Sequence, residues 1–308
     1  MNDTIKLRLG TRQSPLAMVQ AREARARLCA AHGWDEAEIE LVPVVASGDK
    51  ILDRPLAEIG GKALWTKELD GWLAEGRIDA AVHSMKDVET VRPDSLQIAA
   101  ILPREDVRDV LVGAASIAAI PHGATIGTSA PRRAAQMLHQ RPDCRVVGFR
   151  GNVATRLGKL EAGEADVTLL AAAGLSRLGQ LDVGTLLDAD SWLPAPAQGA
   201  IGIECNAANE RACALVAAID DQPSHRAVMA ERALLLALGG NCHSAVAVLS
   251  RWQGGQLLLR AALFSPDGSE RVEGEAQFDP LDMSGPKALA AELLARSSPA
   301  ITRHFTGA

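Results

Sequence analysis

The chain has no closely spaced pair of cysteines, no long apolar run and no excess of positive charge, and each absence removes a class of protein. Its five cysteines, Cys29, Cys144, Cys205, Cys213 and Cys242, are scattered without a C-x-x-C spacing. Zinc and dithiol redox chemistry therefore have no motif, and reduced thiols are expected. The seven histidines show no metal-ligand spacing, so no metal is expected either. The longest apolar runs, near Leu169–Leu175 and Ala233–Leu238, fall short of the roughly 18 residues that span a bilayer. Met1 to Gly10 alternates Ile5, Leu7 and Leu9 with Lys6 and Arg8, which is the pattern of a first strand and not of a signal peptide. A cytoplasmic protein with no membrane partner is expected. Lys and Arg total 32 against 38 Asp and Glu, a net charge of −6, which argues against a nucleic-acid partner because phosphate affinity needs a positive surface. P-loop, H-E-x-x-H, G-x-S-x-G and Rossmann glycine patterns are also missing, so nucleotide, metalloprotease and serine-hydrolase functions have no motif behind them.

What is present is a chain of 308 residues, 47% hydrophobic and 23% charged, the composition of a globular protein with room for two or three domains. From Ile5 to about Leu175 it repeats a short apolar strand, a polar turn and an amphipathic helix, the grammar of an α/β sheet. The first repeat runs from strand Ile5–Leu9 to Ser14, a good N-cap, and Pro15, suited to the first helical position. Leu16, Val19 and Leu28 are expected to face inward, and Gly33 to stop the helix. Later repeats place strand Ala80–Val82 before His83-Ser84-Met85-Lys86-Asp87, and Thr125–Gly127 before Thr128-Ser129 and a helix from Pro131. Another places Arg145–Phe149 before Arg150-Gly151-Asn152. Ligands of such sheets bind outside the carboxyl ends of the strands, so these turns are candidates for one shared crevice. Leu102–Arg108 and Leu193-Pro194-Ala195-Pro196 read as crossings between domains. After Ser224 a helix ending at Gly239-Gly240 gives way to strands divided at Gly254-Gly255 and Pro266-Asp267-Gly268, then to a helix near Lys287–Arg296, a separate α+β domain.

Arg12, Arg132, Arg133, Arg150 and Arg156 all fall at or just after predicted strand ends. Guanidinium forks pair bidentately with carboxylates or phosphates, so the set implies a polyanionic small ligand, although any one of them also reads as a solvated surface arginine. Asp87, beside Lys86, is placed where it could stabilise positive charge on a substrate, and it also reads as an N-cap or ion-pair partner. Cys242 follows Gly239, Gly240 and Asn241, the mark of a helix end and an exposed loop. The other four cysteines fall in or beside predicted helices and strands, where a thiol is usually a small buried hydrophobe. The stretch from Ser47-Gly48-Asp49-Lys50 to Gly60-Gly61-Lys62 has the charge and glycine content of a loop over a site, or of a surface loop with no role.

Six ordered stretches resemble the porphobilinogen deaminase (hydroxymethylbilane synthase) family along nearly the whole chain. They are Thr11-Arg12-Gln13-Ser14-Pro15-Leu16-Ala17, Gly60-Gly61-Lys62, His83-Ser84-Met85-Lys86-Asp87-Val88, Gly127-Thr128-Ser129 with Arg132-Arg133, Arg150-Gly151-Asn152-Val153 with Thr155-Arg156-Leu157, and Gln198-Gly199-Ala200 with Gly202-Ile203-Glu204. The resemblance implies two α/β domains like periplasmic binding proteins and a small C-terminal α+β domain that presents a cysteine loop. In this chain the division becomes 1–102 with 198–222, 103–197, and 223–308. It also implies dipyrromethane joined by a thioether to Cys242, a primer extended by four porphobilinogen units with loss of ammonia.

By position, Asp87 would stabilise the cationic azafulvene formed from substrate, an oxyanion hole with the sign reversed. Ser84, Lys86, Thr128, Ser129, Arg132, Arg133 and Arg156 would hold the cofactor. Arg12, Ser14, Gln20, Arg150 and Arg177 would hold substrate or the growing chain, with Lys62 and Trp65 in a lid. The expected partner is the small molecule porphobilinogen, and the expected state a monomer. The chain departs from the family pattern at Trp65, Glu89, Ala130-Pro131, Asn241 and His243-Ser244-Ala245. A non-catalytic two-lobed protein binding a small carboxylate, and a relative that has lost its cofactor, are the alternative readings.

Overall fold

The computed structural model describes residues 5–44, 66–241 and 243–305. The chain forms β1 (Leu7–Arg12), α1 (Pro15–His32), β2 (Ile39–Val44), α2 (Lys67–Ala74), β3 (Ala80–Ser84), β4 (Leu96–Ile101), β5 (Asp109–Val112) and β6 (Thr125–Gly127). It continues through α3 (Pro131–Gln140), β7 (Arg145–Val147), α4 (Val153–Glu161), β8 (Val167–Ala171), α5 (Ala172–Arg177), β9 (Thr185–Leu186), β10 (Ile201–Asn206), α6 (Glu210–Ala217) and α7 (Gln222–Ala237). Last come β11 (Val246–Gln253), β12 (Gln256–Phe264), β13 (Arg271–Phe278), α8 (Ser284–Arg296) and α9 (Pro299–Thr302). No helix among the described residues is long and apolar enough to cross a membrane.

Two compact units result. One takes the described residues up to Glu105 and then Gly199–His225, the other Asp106–Gln198 and the chain from Arg226 onward. The first holds a five-stranded sheet in the order β2-β1-β3-β10-β4, the second a five-stranded sheet in the order β7-β6-β8-β5-β9 and a three-stranded sheet β11-β12-β13. The two larger sheets share one plan. In each, one strand is flanked by two parallel neighbours, β1 by β2 and β3 and β6 by β7 and β8. A strand running the opposite way, β10 or β5, then separates the third parallel strand from the edge strand. The fold class is therefore the expected one, two α/β sheets of like strand order and a smaller α+β part. The latter has its own core, in which Leu234, Leu238, Val248, Leu259, Leu263 and Leu293 are buried together.

Local sequence explains the first helix. Ser14 accepts from the backbone N–H of Ala17, Pro15 sits at the first helical position, and Gly33 closes the helix in the left-handed region with φ 66°, as each residue type favours. The buried stripe is Gln20, Ala21, Ala24 and Leu28, whereas Leu16 and Val19 are only half-buried. Leu28 is buried as expected, and Ala21 and Ala24 share its core with Leu7 and Leu9 of β1. The expected strand Arg145–Phe149 stops at Val147. Phe149 turns in and is buried against Gly127, where any Cβ would strike its ring.

One ionic network fastens β3 to β10. Glu204, on β10, is 1% exposed and accepts from Arg92 Nε at 2.9 Å and Arg92 Nη2 at 2.7 Å. His83 Nε2, on β3, stands 3.4 Å from the same carboxylate. Arg92 also donates to Asp70 at 2.6 Å and to Glu89 at 2.9 Å, and Thr66 Oγ1 donates to Glu89 at 2.8 Å. Burial alone would push the Glu204 carboxyl up, but His83 and Arg92 more than offset it and hold it at about 2. Because the folded value lies below the ordinary 4.5, this stabilisation is complete above pH 4.5 and drains away as the pH falls toward 2. Glu204→Gln leaves Arg92 short of a buried partner and is expected to cost about 3–5 kcal/mol at neutral pH. Thermal melts of variant and wild type should converge as the pH falls through that window; equal melting temperatures at neutral pH would contradict the assignment.

Candidate active site

In the first unit the carboxyl ends of the parallel strands β1 and β3 open on a hollow of about 60 Å³. Arg12 ends β1, Ser14 caps α1, and the first turns of α1 add Leu16, Ala17 and Gln20. Val82, His83 and Ser84 come from β3, and Asp87 from the single 3-10 turn Met85–Asp87 that follows it, with Val88 and Thr66 completing the wall. The turn is set from beneath. Met85 is buried against Gly202 of β10, where a Cβ would collide with its sulfur, so only glycine lets the turn seat this deeply.

Gln20 is buried, and its Nε2 donates to Ser84 Oγ at 2.8 Å, linking α1 to the end of β3. Asp87 is half-buried beside these neutral groups. Five predicted residues, Arg12, Ser14, Gln20, Ser84 and Asp87, thus line one surface. Lys86 lies in the same turn and is not part of this wall.

The second unit gathers its predicted residues at the same edge of its own sheet. Thr128 and Ser129 follow β6; the Thr128 N–H donates to Val147 O at 2.9 Å and its Oγ1 accepts from Ala130 N at 3.2 Å. Ala130 supplies no side-chain cap and Pro131 opens α3. Arg132 and Arg133 lie in the first turn, each only 4% exposed. Both reach Asp109, Arg132 Nη1 at 2.5 Å and Arg133 Nη2 at 2.7 Å. Burial would raise the Asp109 carboxyl, but the charges of Arg132 and Arg133 hold it well below the usual carboxylate range. Arg150 follows β7 and is half-buried. Asn152 caps α4 by accepting from Thr155 N at 2.9 Å. Arg156, inside α4, donates from Nε to Gly151 O at 3.0 Å, and Arg177 is the last residue of α5, after β8.

Cys242, Lys62 and Trp65 lie outside the described residues. The residues flanking Cys242 are tied to one another: Asn241 Oδ1 accepts from His243 N at 2.8 Å, and Asn241 N donates to Ser244 Oγ at 3.0 Å. Burial pushes the thiols of Cys29, Cys144 and Cys205 up, away from the reactive thiolate.

Several residues at or behind these sites carry no signal in the sequence. Asp109 comes directly after Leu102–Arg108, the charged stretch read as a crossing, and an acid at the first residue of an apolar run is the one local hint of it. Arg92, Thr66 and Trp192 have none. His83, Gln198 and Glu204 stand inside the recognised stretches without a role, and the structure assigns them buried polar contacts.

The family described as "Porphobilinogen deaminase, dipyromethane cofactor binding domain" matches residues 7–214, and "Porphobilinogen deaminase, C-terminal domain" matches residues 225–295. A porphobilinogen deaminase of Sphingopyxis alaskensis is 56% identical over 97% of this chain and 96% of its own length. One from Paracoccus denitrificans is 50% identical over 87% of both. A chloroplastic one from Oryza sativa is 45% identical over 95% of this chain and 84% of its own length. With these matches spanning nearly every residue described above, the chain belongs to the porphobilinogen deaminase family.

Proposed function

We propose that this protein is a hydroxymethylbilane synthase, a transferase that condenses four porphobilinogen molecules head to tail with loss of ammonia, and that it works as a cytoplasmic monomer. The observation that carries the reading is the convergence of Arg12, Ser14, Gln20, Ser84 and Asp87 on one hollow in a chain of this family. The division into 1–102 with 198–222, 103–197, and 223–308 belongs to the same reading, supported by the two like sheets and the separate C-terminal core.

Dipyrromethane, held as a thioether, supplies the primer on which the chain of pyrroles is built. Its acetate and propionate groups need buried cations. Arg132 and Arg133 fit that need: both are buried, and the Nε of each has no hydrogen-bond partner. Arg156, Lys86, Ser84, Thr128 and Ser129 complete the proposed cofactor contacts, and Cys242 is the proposed attachment point. Asp87 would accept pyrrole N–H groups and stabilise the positive charge that develops as ammonia leaves, because a fixed carboxylate in a small hollow needs no reorganisation at that moment. Gln20 locks Ser84 beside it. Arg12, Ser14, Arg150 and Arg177 would bind the carboxylates of incoming and growing chain, where a planar fork matches the ligand. Lys62 and Trp65 are proposed to close over the site.

Asp87→Ala should fold normally and lose at least about 10²-fold in turnover, the scale for removing one electrostatic stabiliser; near-normal kcat in a steady-state assay would reject its role. Arg150→Leu should accept the primer and then stall, because a carboxylate left without its fork is costly to bury. Mass spectrometry would show partly extended covalent species, and full product at the normal rate would contradict the placement of Arg150. The test of the whole reading is intact mass. The purified protein should exceed its sequence mass by two pyrrole units and colour with acidic dimethylaminobenzaldehyde, and Cys242→Ser should abolish both signals. A fully active protein at bare sequence mass, or an adduct mapped to another cysteine, would overturn the covalent mechanism or the choice of residue respectively.

A further inference from the structure

Asp109 is surrounded more completely than ion pairing requires. It is the first residue of β5, opposite Ala171 at the carboxyl end of β8, and so stands at the sheet edge that carries Thr128 and Ser129. Its buried carboxylate takes four donors. Arg132 Nη1 at 2.5 Å and Trp192 Nε1 at 2.8 Å bind Oδ2, while Arg133 Nη2 at 2.7 Å and Gln198 Nε2 at 2.8 Å bind Oδ1. A carboxylate offers about four lone-pair sites, so its orientation is fully determined. The arginines are steered further by carbonyls: Arg133 Nη1 donates to Leu169 O at 2.7 Å and Arg132 Nη1 to Leu193 O at 3.1 Å. Gln198 is itself set by strain next door. Ala197 has φ 58°, a left-handed conformation that costs a residue with a Cβ, and its N–H donates to the buried Glu231 at 2.6 Å.

Charge shows that this cluster is incomplete. Two guanidinium groups face one carboxylate, and among the described residues Asp109 is the one acid paired with either of them. Excess buried charge is expensive unless something neutralises it. The Nε atoms of Arg132 and Arg133 are both buried and both lack a hydrogen-bond partner. The cluster is therefore short of an anion and of two acceptors, which carboxylates supply together.

The geometry points to Asp109 as a positioning residue that holds the forks of Arg132 and Arg133 in the orientation that receives the carboxylates of dipyrromethane, and so sets how much cofactor the protein carries. This rests on the reading that the two arginines hold those carboxylates. Asp109→Asn keeps the size and removes the charge that steers both forks. Its cofactor-loaded fraction, read by intact mass on folded protein, should fall at least about tenfold, as expected when one member of a buried charged network is lost. Leu111→Val loosens the same strand without touching a charge and should load like wild type.

Folded Asp109→Asn that loads like wild type overturns the proposal, as does Leu111→Val losing cofactor to the same degree. Arg133→Leu then separates the two ideas: if it is cofactor-free the arginines hold the cofactor without help from Asp109, and if it is loaded the arginine reading falls too. Should Asp109→Asn not fold, Trp192→Phe is read in its place, since it frees Oδ2 from one anchor. Reduced loading of Trp192→Phe supports the proposal and normal loading overturns it.

Discussion

A charge taken out of water must find its partner inside the protein, and in both units that demand falls on the strand that opposes its neighbours. Glu204 lies on β10 and Asp109 on β5, the equivalent antiparallel strands of the two sheets. Each acid draws in arginine from a distant part of the chain, Arg92 in one case and the Arg132–Arg133 pair in the other. Each thereby fastens the element that carries the polar residues of its site. The difference between them is the balance of charge: Arg92 meets three carboxylates, whereas Asp109 meets two arginines. The first cluster therefore carries an excess of acid and the second an excess of base.

What the sequence made legible was local. Ser14, Pro15 and Gly33 mark their helix within a few residues of one another, and strand Thr125–Gly127 is bounded by its own turn. The positions of the candidate residues at strand ends were legible for the same reason, since an α/β repeat places them by chain order. Asp109 was not, because its four partners come from positions 132, 133, 192 and 198 and nothing nearby announces them. Leu16 and Val19 were expected to face inward and are half-buried, the buried positions of the helix being Gln20, Ala21, Ala24 and Leu28. The end of β7 was misread because Phe149 looks like a strand residue until Gly127 is known to lie beneath it.

The substituted positions follow the same logic. Glu89 accepts from both Thr66 and Arg92 and so joins the residue at the edge of the hollow to the network behind it. Asn241 and Ser244 bond to each other across the loop that carries Cys242. Glu89, Asn241 and Ser244 each have a polar partner in the structure.

The strand order has a consequence for how the molecule comes to be. β10 lies between β3 and β4 in the finished sheet, yet it is made only after every strand of the second five-stranded sheet. A chain emerging from the ribosome must hold β3 and β4 apart, each with an unpaired backbone edge, until Ile201–Asn206 arrives to fill the gap. Such late, long-range pairing makes folding slow and leaves open edges exposed to other chains meanwhile. β5, by contrast, precedes β8 and β9 and waits for strands that follow within the same stretch of chain. The second sheet can therefore close while the first is still incomplete, and the acid that seals the first network, Glu204, arrives on the very strand that ends the wait.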